Sequence, residues 1–369
     1  MKRLVVFSVY DYEGHVDDYI IYMLHSFKKI SERIVVVSNG KIKNKEAISN
    51  CVDQIYERDN IGYDFGAYKD YFTIFESEKK VKEYDEIIIA NDTFYGPFID
   101  WEEVFERMEL TKCDCWGLTR KANNFKDAKS KIISNYIQTY FLCFGKRIIE
   151  DSTFFDFWKK TDYPYNSRQN VMLFEIGINE WLLCNGYNSL AYLDICGGEK
   201  YAKERLNPYG DYAYEIISEC KFPIMKRHAI SILYWGNMMR AIKYVEDYTD
   251  YDTNMLWNNW KRYNLRDNRN EPNIFEFKEF CDNHSKIYIY GNGLIGRRVL
   301  QTARVMGYID AQSIVTKRKV GEKVKEIGEI IFGGNDGVIV AVDQVLQDEL
   351  LQEARKYVDE DQILIAMPR

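Results

Sequence analysis

The sequence has no hydrophobic run long enough to span a membrane. A spanning helix needs about 20 predominantly apolar residues in a row, and the apolar runs here are much shorter. Residues 1–14 combine a basic start with a short apolar stretch, but they lack the small-residue cleavage site of a signal peptide and turn polar at Asp11. We therefore expect a first β-strand there, and any membrane association to be peripheral.

Paired cysteine motifs and blocks of basic residues are also missing. The 8 cysteines are scattered, and the single-residue spacing of Cys113 and Cys115 fits neither a zinc knuckle nor a thioredoxin-like motif. Lys+Arg 50 against Asp+Glu 57 gives a net charge of -7, so no nucleic-acid partner is expected. Scattered thiols are typical of a cytoplasmic protein, which is the location we predict.

What the sequence does contain is an ordinary globular composition without repeats. Its 369 residues favour two domains, and 46% hydrophobic with 29% charged residues allows a large core. The 29 tyrosines suit stacking on sugar or base rings, although most tyrosines fill cores and rims.

Short apolar segments alternate with segments of helical spacing along the first half of the chain. This pattern predicts an α/β fold, in which helices cover a parallel, Rossmann-type sheet. The predicted strands are 4–9, 33–37, 53–56, 86–90, 115–118 and 139–144, and the predicted helices include 16–30, 68–75 and 172–184.

The second half divides differently. Residues 231–284 are helical in pattern, polar and rich in Tyr and Trp, which predicts a helical connector after a first domain at 1–230. Residues 285–369 open on a strand, a glycine turn and a helix, so we predict a small C-terminal Rossmann-like α/β domain there.

Polar and glycine residues gather in RDNIGYDFGAY, residues 58–68. Gly62 permits a tight turn and the close approach of a ligand, while Asp59, Asn60 and Asp64 put oxygen and amide groups on what we predict to be one loop. The same residues are also typical of a structural loop with Asx-turns.

A carboxylate flanked by polar residues follows the strand in IIIANDTFYGP, residues 87–97. Ligands of α/β proteins bind at the carboxyl ends of such strands. Asp92 would there hold Mg²⁺ or Mn²⁺ and bridge it to a diphosphate.

Together these segments resemble the rhamnan synthesis protein F family, glycosyltransferase-like proteins of bacterial surface-polysaccharide assembly. The resemblance is carried in order by Ser38-Asn39-Gly40, DNIGYDFGAYKD, YDEIIIANDTFYGP, IQTYFLCFGK, FEIGINEWLLCNGY and FPIMKRH. It covers roughly the first two-thirds of the chain.

The resemblance implies a GT-A-like fold that binds a nucleotide-sugar such as dTDP-rhamnose and transfers the sugar to a glycan or lipid-linked glycan. It implies donor contacts from Ser8, Tyr10, Asn39, Asp59, Asn60, Gly62, Asp64, Asp92, Lys226 and Arg227. The GT-A group often has Asp-x-Asp where this chain has Asn91-Asp92-Thr93. With one of the two carboxylates present, the expected metal ligands are Asp92 and His228.

The resemblance also suggests the catalytic groups. Glu175 is the expected base, with Glu180 and Asp162 as alternatives, although Glu175 also suits the start of a helix. Lys226, Arg227 and His228 would neutralise the diphosphate, or else form a solvated basic turn.

The C-terminal domain carries the glycine fingerprint of a dinucleotide site at Gly291, Gly293 and Gly296. The following strand ends in Thr316 and Lys317, without the acid that would hold a ribose, so we do not expect NAD. A domain that binds another nucleotide, or one that serves docking and assembly, is the alternative.

Three functions remain open from the sequence. The first is a glycosyltransferase that rests peripherally at the inner membrane face and works with other polysaccharide-assembly proteins. The second is a non-catalytic nucleotide-sugar binding or scaffold subunit of the same pathway. The third is a dehydrogenase or epimerase that uses the C-terminal glycine fingerprint.

Overall fold

The computed structural model describes residues 1–122, 135–201, 208–231, 233–264, 274–317 and 324–366. These form two compact units. The first unit combines Met1–Arg227 with Tyr244–Asn259, and the second combines His228–Lys243 with Trp260–Arg369. None of the described helices is long and apolar enough to cross a membrane.

A seven-stranded sheet forms the centre of the first unit, in the order β10-β6-β9-β4-β1-β2-β3. Neighbouring strands run parallel except that β9 pairs antiparallel with β4 and with β6. All seven residues of β1 are buried, as expected for a central strand covered on both faces. The strands are β1 (Arg3–Val9), β2 (Arg33–Ser38), β3 (Gln54–Glu57), β4 (Glu86–Asn91), β6 (Cys115–Gly117), β9 (Phe141–Gly145) and β10 (Ser189–Ala191).

Two short antiparallel ribbons accompany this sheet. The first pairs β5 (Phe94–Tyr95) with β11 (Met225–Lys226), and the second pairs β7 (Arg120–Ala122) with β8 (Asn135–Ile137). The β5–β11 ribbon matters for the site because it brings the end of the segment Met1–Arg227 back to the residues that follow β4.

Aromatic side chains of the helices form one buried cluster with residues of the sheet such as Leu4 and Ile87. Phe65 stacks on Trp158 with ring centroids 5.6 Å apart, and Phe174 lies 5.0 Å from Phe65. Burial of such rings supplies the largest share of hydrophobic stabilisation per residue. The helices are α1 (Asp18–Lys28), α2 (Tyr63–Asp70), α3 (Glu78–Val81), α4 (Trp101–Glu109), α5 (Lys146–Glu150), α6 (Ser152–Lys160), α7 (Ser167–Gln169), α8 (Gly177–Cys184), α9 (Tyr192–Ile195), α10 (Pro208–Asp211) and α11 (Ala213–Ser218), with π-helical turns at Tyr71–Phe75 and Asn170–Ile176.

Two further helices, α12 (Trp235–Tyr248) and α13 (Thr253–Asn264), are each divided between the units. The domain limits predicted at residues 230 and 284 stay predictions.

The second unit has its own parallel sheet, in the order β14-β13-β12-β15-β16. Its core includes Tyr290, Ile314 and Val338. The elements are α14 (Ile274–Asn283), β12 (Lys286–Tyr290), α15 (Leu294–Val305), β13 (Gln312–Val315), β14 (Lys325–Glu326), β15 (Asp336–Val340), α16 (Gln344–Ala354) and β16 (Ile363–Ile365).

The α/β class predicted from the sequence, a mostly parallel Rossmann-type sheet with covering helices, is confirmed. One prediction near the site is wrong. The helix expected at 68–75 begins five residues earlier, at Tyr63, so Asp64 and Gly66 lie on α2 and not on a loop. Gly62 provides the left-handed N-cap with φ 80, and a Cβ on Gly66 would lie 2.0 Å from the carbonyl oxygen of Ile61. Glycine is required at both positions.

Candidate active site

Polar residues from three neighbouring parallel strands meet at the carboxyl edge of the first sheet. Ser8 pairs with Asn91 across β1 and β4, and the backbone N–H of Asn39, just after β2, donates to the carbonyl of Val9 over 2.9 Å. The Asn39 amide also contacts the Ser8 hydroxyl at 3.4 Å. The structure thus brings together Ser8, Asn39 and the Asn91-Asp92 turn.

Asp92 is buried at this edge. The backbone N–H of Tyr10 donates to Oδ2 of Asp92 over 3.3 Å, and the Tyr19 hydroxyl donates to the Asp92 carbonyl oxygen over 2.8 Å. Burial raises the pKa of the Asp92 carboxyl, while the charge of Arg227 opposes that rise. A buried carboxylate is stable here because cationic and N–H groups face it.

The β5–β11 ribbon carries two basic residues to Asp92. Lys226 pairs with Phe94, and the backbone N–H of Arg227 donates to the Thr93 carbonyl over 3.0 Å. Nη1 of Arg227 then lies 3.8 Å from Oδ2 of Asp92 and 2.8 Å from the Tyr19 hydroxyl. The two cations are therefore fixed beside the carboxylate by backbone pairing.

Lys226 itself is only 5% exposed. Its Nζ donates to the Thr93 hydroxyl over 2.6 Å and lies 3.8 Å from the centre of the Tyr140 ring. Burial lowers the pKa of Lys226 to about 7, and the negative charge of Glu175 opposes that change. An anionic ligand beside Lys226 would raise its pKa again, because a nearby negative charge favours the protonated ammonium.

Asp64 joins the same edge from α2. Its Oδ2 accepts from the Asn91 amide over 2.8 Å, and its Oδ1 accepts from the Asn170 amide over 3.0 Å. Asn170 opens the π-helical turn Asn170–Ile176, so this contact connects that turn to the strand end. Sequence reasoning did not identify Asn170, and an isolated Asn before an apolar run gives no signal.

Arg58, which opens the RDNIG stretch, is a second residue that sequence reasoning missed. Its guanidinium donates to the Asp70 carboxylate, to Oδ1 of Asn39 and, over 2.8 Å, to the Ile61 carbonyl. The Arg58 and Asp70 side chains are 8% and 10% exposed. Arg58 thereby fixes the turn between β3 and α2 against the end of β2.

The other predicted residues of that turn are more open. Asp59 and Asn60 are exposed, and the Asp59 carbonyl accepts from the Ile61 N–H over 2.8 Å. Gly62 is buried, and Tyr10, whose backbone N–H donates to Asp92, is 42% exposed. Asp59 and Asn60 therefore lie on the rim of the site, in contrast to Asp64 and Asp92.

Glu175 lies in the π-helical turn and not at the start of the following helix. α8 begins two residues later, at Gly177. Burial is the main reason that the pKa of Glu175 rises to about 7; Asp64 adds to the rise, and Lys226 opposes it. A carboxyl group with that pKa can accept a proton near neutral pH.

Asn179 holds the backbone around Glu175. Its side chain exchanges hydrogen bonds with the N–H and carbonyl of Ile137 over 2.8 Å and 2.9 Å, and donates to the Glu175 carbonyl over 2.8 Å. Of the alternative bases, Glu180 lies on α8 with a pKa raised by burial, and Asp162 is exposed.

A cluster of hydroxyl groups lies beneath Lys226. The Tyr140 hydroxyl contacts the hydroxyls of Thr119 and Tyr209, each at 2.9 Å, and Tyr209 donates to Oε1 of Gln138 over 2.8 Å. Burial raises the pKa of Tyr209 well above its ordinary value. These hydroxyls are therefore neutral hydrogen-bonding groups.

The remaining predicted residues belong to the second unit. His228 is exposed there. Gly296 packs so closely that a Cβ would lie 2.0 Å from the Gly291 carbonyl oxygen, and a Cβ on Gly291 would lie 2.6 Å from that of Ala341. A Cβ on Gly293 would meet no atom within 4 Å. Packing thus requires the first and third glycines, and the second faces open space.

Comparison with known proteins gives one family. The sequence model of the rhamnan synthesis protein F family matches residues 34–289, more than half of the 369 residues. Among curated proteins, the uncharacterised protein y4gN of Sinorhizobium fredii is 28% identical over 172 residues, which are 46% of this chain and 42% of that protein. The chain thus spans less than half the length of this curated relative.

Similar solved structures share little sequence with the chain. The glycosyltransferase GlyE of Streptococcus pneumoniae TIGR4 is 13% identical with a TM-score of 0.34, over 97% of this chain and 100% of that one. S. aureus TarS 1-349 is 11% identical with a TM-score of 0.32, over 67% of this chain and 89% of that one. Similarities at these TM-scores carry no argument about activity.

Proposed function

The chain belongs to the rhamnan synthesis protein F family, and from this premise we propose that it is a glycosyltransferase of surface-polysaccharide synthesis. It would move a sugar from a nucleotide-sugar to a growing glycan. The observation that carries the proposal is the meeting of Asp92, Lys226 and Arg227 at the carboxyl edge of the first sheet. Two cations fixed at that edge suit a diphosphate.

In this proposal the donor lies across the ends of β1, β2 and β4. Ser8, Tyr10 and Asn39 line the nucleotide side, where Tyr10 is exposed enough for its ring to contact a base. Asp64 and Asp92 face the donor sugar, whose hydroxyl groups are natural donors to carboxylate oxygens. Asp59, Asn60 and Gly62 form the rim.

The chemical step needs a base and a stabilised leaving group. Glu175 accepts the proton of the acceptor hydroxyl, the acceptor oxygen bonds to the anomeric carbon, and the bond from that carbon to the diphosphate breaks. The electron pair of the broken bond stays on the diphosphate, where Lys226 and Arg227 neutralise it. A base with a pKa of about 7 and cations fixed in advance are well matched to this step.

The family name supports a proposal for the donor sugar and the setting. We propose rhamnose as the sugar, dTDP-rhamnose as the donor, and a glycan or lipid-linked glycan as the acceptor. A lipid-linked acceptor would place the protein at the cytoplasmic face of the inner membrane, beside other polysaccharide-assembly proteins.

A second candidate is a non-catalytic subunit that binds the nucleotide-sugar or serves as a scaffold. The motif Asn91-Asp92-Thr93, with one carboxylate in place of two, favours it. This candidate predicts donor binding without turnover.

Release of the nucleoside diphosphate and elongation of a rhamnan oligosaccharide, followed by chromatography, separate the two candidates. Wild-type protein should release dTDP and extend the acceptor, whereas Asp92→Ala should do neither while it retains the wild-type circular dichroism spectrum. Lys29→Gln, which removes a cation from an exposed pair with Asp100, is the control. Donor binding without product in the wild type would support the non-catalytic subunit.

A further inference from the structure

The oxygens of the Asn91-Asp92-Thr93 turn already accept hydrogen bonds from the protein. Oδ1 of Asn91 accepts from the hydroxyl and the backbone N–H of Thr93 over 2.6 Å and 3.2 Å. The Thr93 hydroxyl in turn accepts from Nζ of Lys226 over 2.6 Å. Mg²⁺ and Mn²⁺ need such oxygens as ligands.

The two carboxylates of the site are engaged as well. Oδ2 of Asp92 accepts from the Tyr10 N–H and faces the Arg227 guanidinium at 3.8 Å, and both oxygens of Asp64 accept amide hydrogen bonds. A divalent cation at Oδ2 of Asp92 would be repelled by the Arg227 guanidinium that already faces this oxygen. The residues of this edge therefore do not fit a metal-binding Asp-x-Asp site. Within the described ranges, no group of three or more His, Cys, Asp or Glu side chains is arranged to hold a metal ion.

We propose that Lys226 and Arg227 take the place of a divalent cation, so that donor binding and sugar transfer proceed without Mg²⁺ or Mn²⁺. This inference rests on the proposed function. Like a bound metal ion, the pair is held in place before the donor arrives. The Arg227 backbone is paired with Thr93 at 3.0 Å, and the Lys226 ammonium is held between the Thr93 hydroxyl and the Tyr140 ring.

The two side chains also suit the charge that develops. When the bond between the anomeric carbon and the diphosphate breaks, one negative charge is added to the leaving group. The planar guanidinium of Arg227 can donate two parallel hydrogen bonds to phosphate oxygens, while the Lys226 ammonium acts as a point charge. Fixed donors and cations of this kind stabilise such charge without reorganisation.

The test compares donor affinity and transfer rate measured in EDTA with the same two quantities measured in Mn²⁺. Titration calorimetry uses dTDP, UDP and GDP and their sugars, and transfer is followed with the donor that binds. We expect the affinity and the transfer rate in EDTA to equal those in Mn²⁺. Loss of binding and transfer in EDTA, with recovery on addition of Mn²⁺, would overturn the inference and leave the proposed function standing.

Variants make the test specific to the two cations. In EDTA, Lys226→Gln and Arg227→Gln should each weaken nucleoside diphosphate binding by about tenfold to a hundredfold, as expected for the loss of a charged hydrogen bond. The controls Lys29→Gln and Arg355→Gln remove cations from exposed pairs with Asp100 and Glu360 and should bind like the wild type. Wild-type affinity in both Lys226→Gln and Arg227→Gln would overturn the inference. No binding by the wild type in either buffer would refute the proposed function itself.

Discussion

Lys226 donates a hydrogen bond from Nζ to the hydroxyl oxygen of Thr93 over 2.6 Å, although 133 positions separate the two residues in the sequence. The contact depends on the β5–β11 ribbon, in which Met225 pairs with Tyr95 and Lys226 with Phe94. The ribbon thereby places the basic residues Lys226 and Arg227 beside the Asn91-Asp92-Thr93 turn.

The pH dependence of transfer should change in Lys226→Arg. In the wild type, kcat/KM should rise with pH as Glu175 loses its proton and fall as Lys226 loses its own, since both groups have a pKa of about 7. We expect a narrow bell-shaped profile. Arginine keeps its charge, so the alkaline limb should move to higher pH while the acid limb stays. An alkaline limb at the wild-type position would show that Lys226 does not set it.

The base is tested by Glu175→Gln. The amide cannot accept the acceptor proton, so kcat should fall by about a hundredfold to ten-thousandfold. Donor affinity should stay near the wild-type value at about pH 6, where Lys226 is protonated and Glu175 carries little charge, because Glu175 is not among the proposed donor contacts. Stopped-flow or chromatographic kinetics measure kcat, and calorimetry measures donor affinity. Glu180→Gln is the matched control on α8, and equal losses of kcat in the two variants would remove Glu175 from the mechanism.

The turn before α2 should depend on Arg58. Its ion pair with Asp70 is almost completely buried, so Arg58→Ala leaves a buried carboxylate without its cation. We expect the free energy of unfolding in urea to fall by about 3–5 kcal/mol. Lys29→Ala, which breaks a pair with 59% and 71% exposed side chains, should lower it by about 1 kcal/mol at most. Equal effects of the two substitutions would contradict the role assigned to Arg58.

The glycine fingerprint of the second unit can be divided by substitution. Gly293→Val should leave the fold and sugar transfer intact, because the added side chain enters open space. Gly296→Val should destabilise the second unit, because its Cβ would overlap the Gly291 carbonyl. Calorimetric melting and the transfer assay distinguish these outcomes. Loss of transfer in a folded Gly293→Val variant would place that glycine in the active site.

Much of the first sheet could be predicted from sequence, since its strands are short apolar runs that end in polar turns. The positions of β1, β2 and β4 follow from that pattern, and their parallel order places Ser8, Asn39 and Asp92 at one edge. A local pattern was sufficient because each of these residues lies within one position of the end of a buried strand.

The rest of the site depends on contacts that local pattern does not encode. Glu175 resembles the first residue of a helix, but the chain forms a π-helical turn there, and Asn179 of the following helix α8 donates to the Glu175 carbonyl. Gly62 and Tyr63 both have positive φ, and α2 begins at Tyr63. Asp64 therefore lies on a helix, although its glycine-rich surroundings predict a loop. Pairing between distant segments buries Lys226, which lowers its pKa, and fixes the position of Arg227.

The most direct measurement is a calorimetric titration of the purified protein with dTDP-rhamnose, UDP- and GDP-sugars and NAD(H), repeated on Asp92→Ala. The proposal predicts that the wild type binds one nucleotide-sugar, and that Asp92→Ala binds it more weakly while keeping the wild-type fold. Binding of NAD(H) alone, unchanged in Asp92→Ala, would contradict a donor site at the edge of the first sheet and move the chemistry to the second unit.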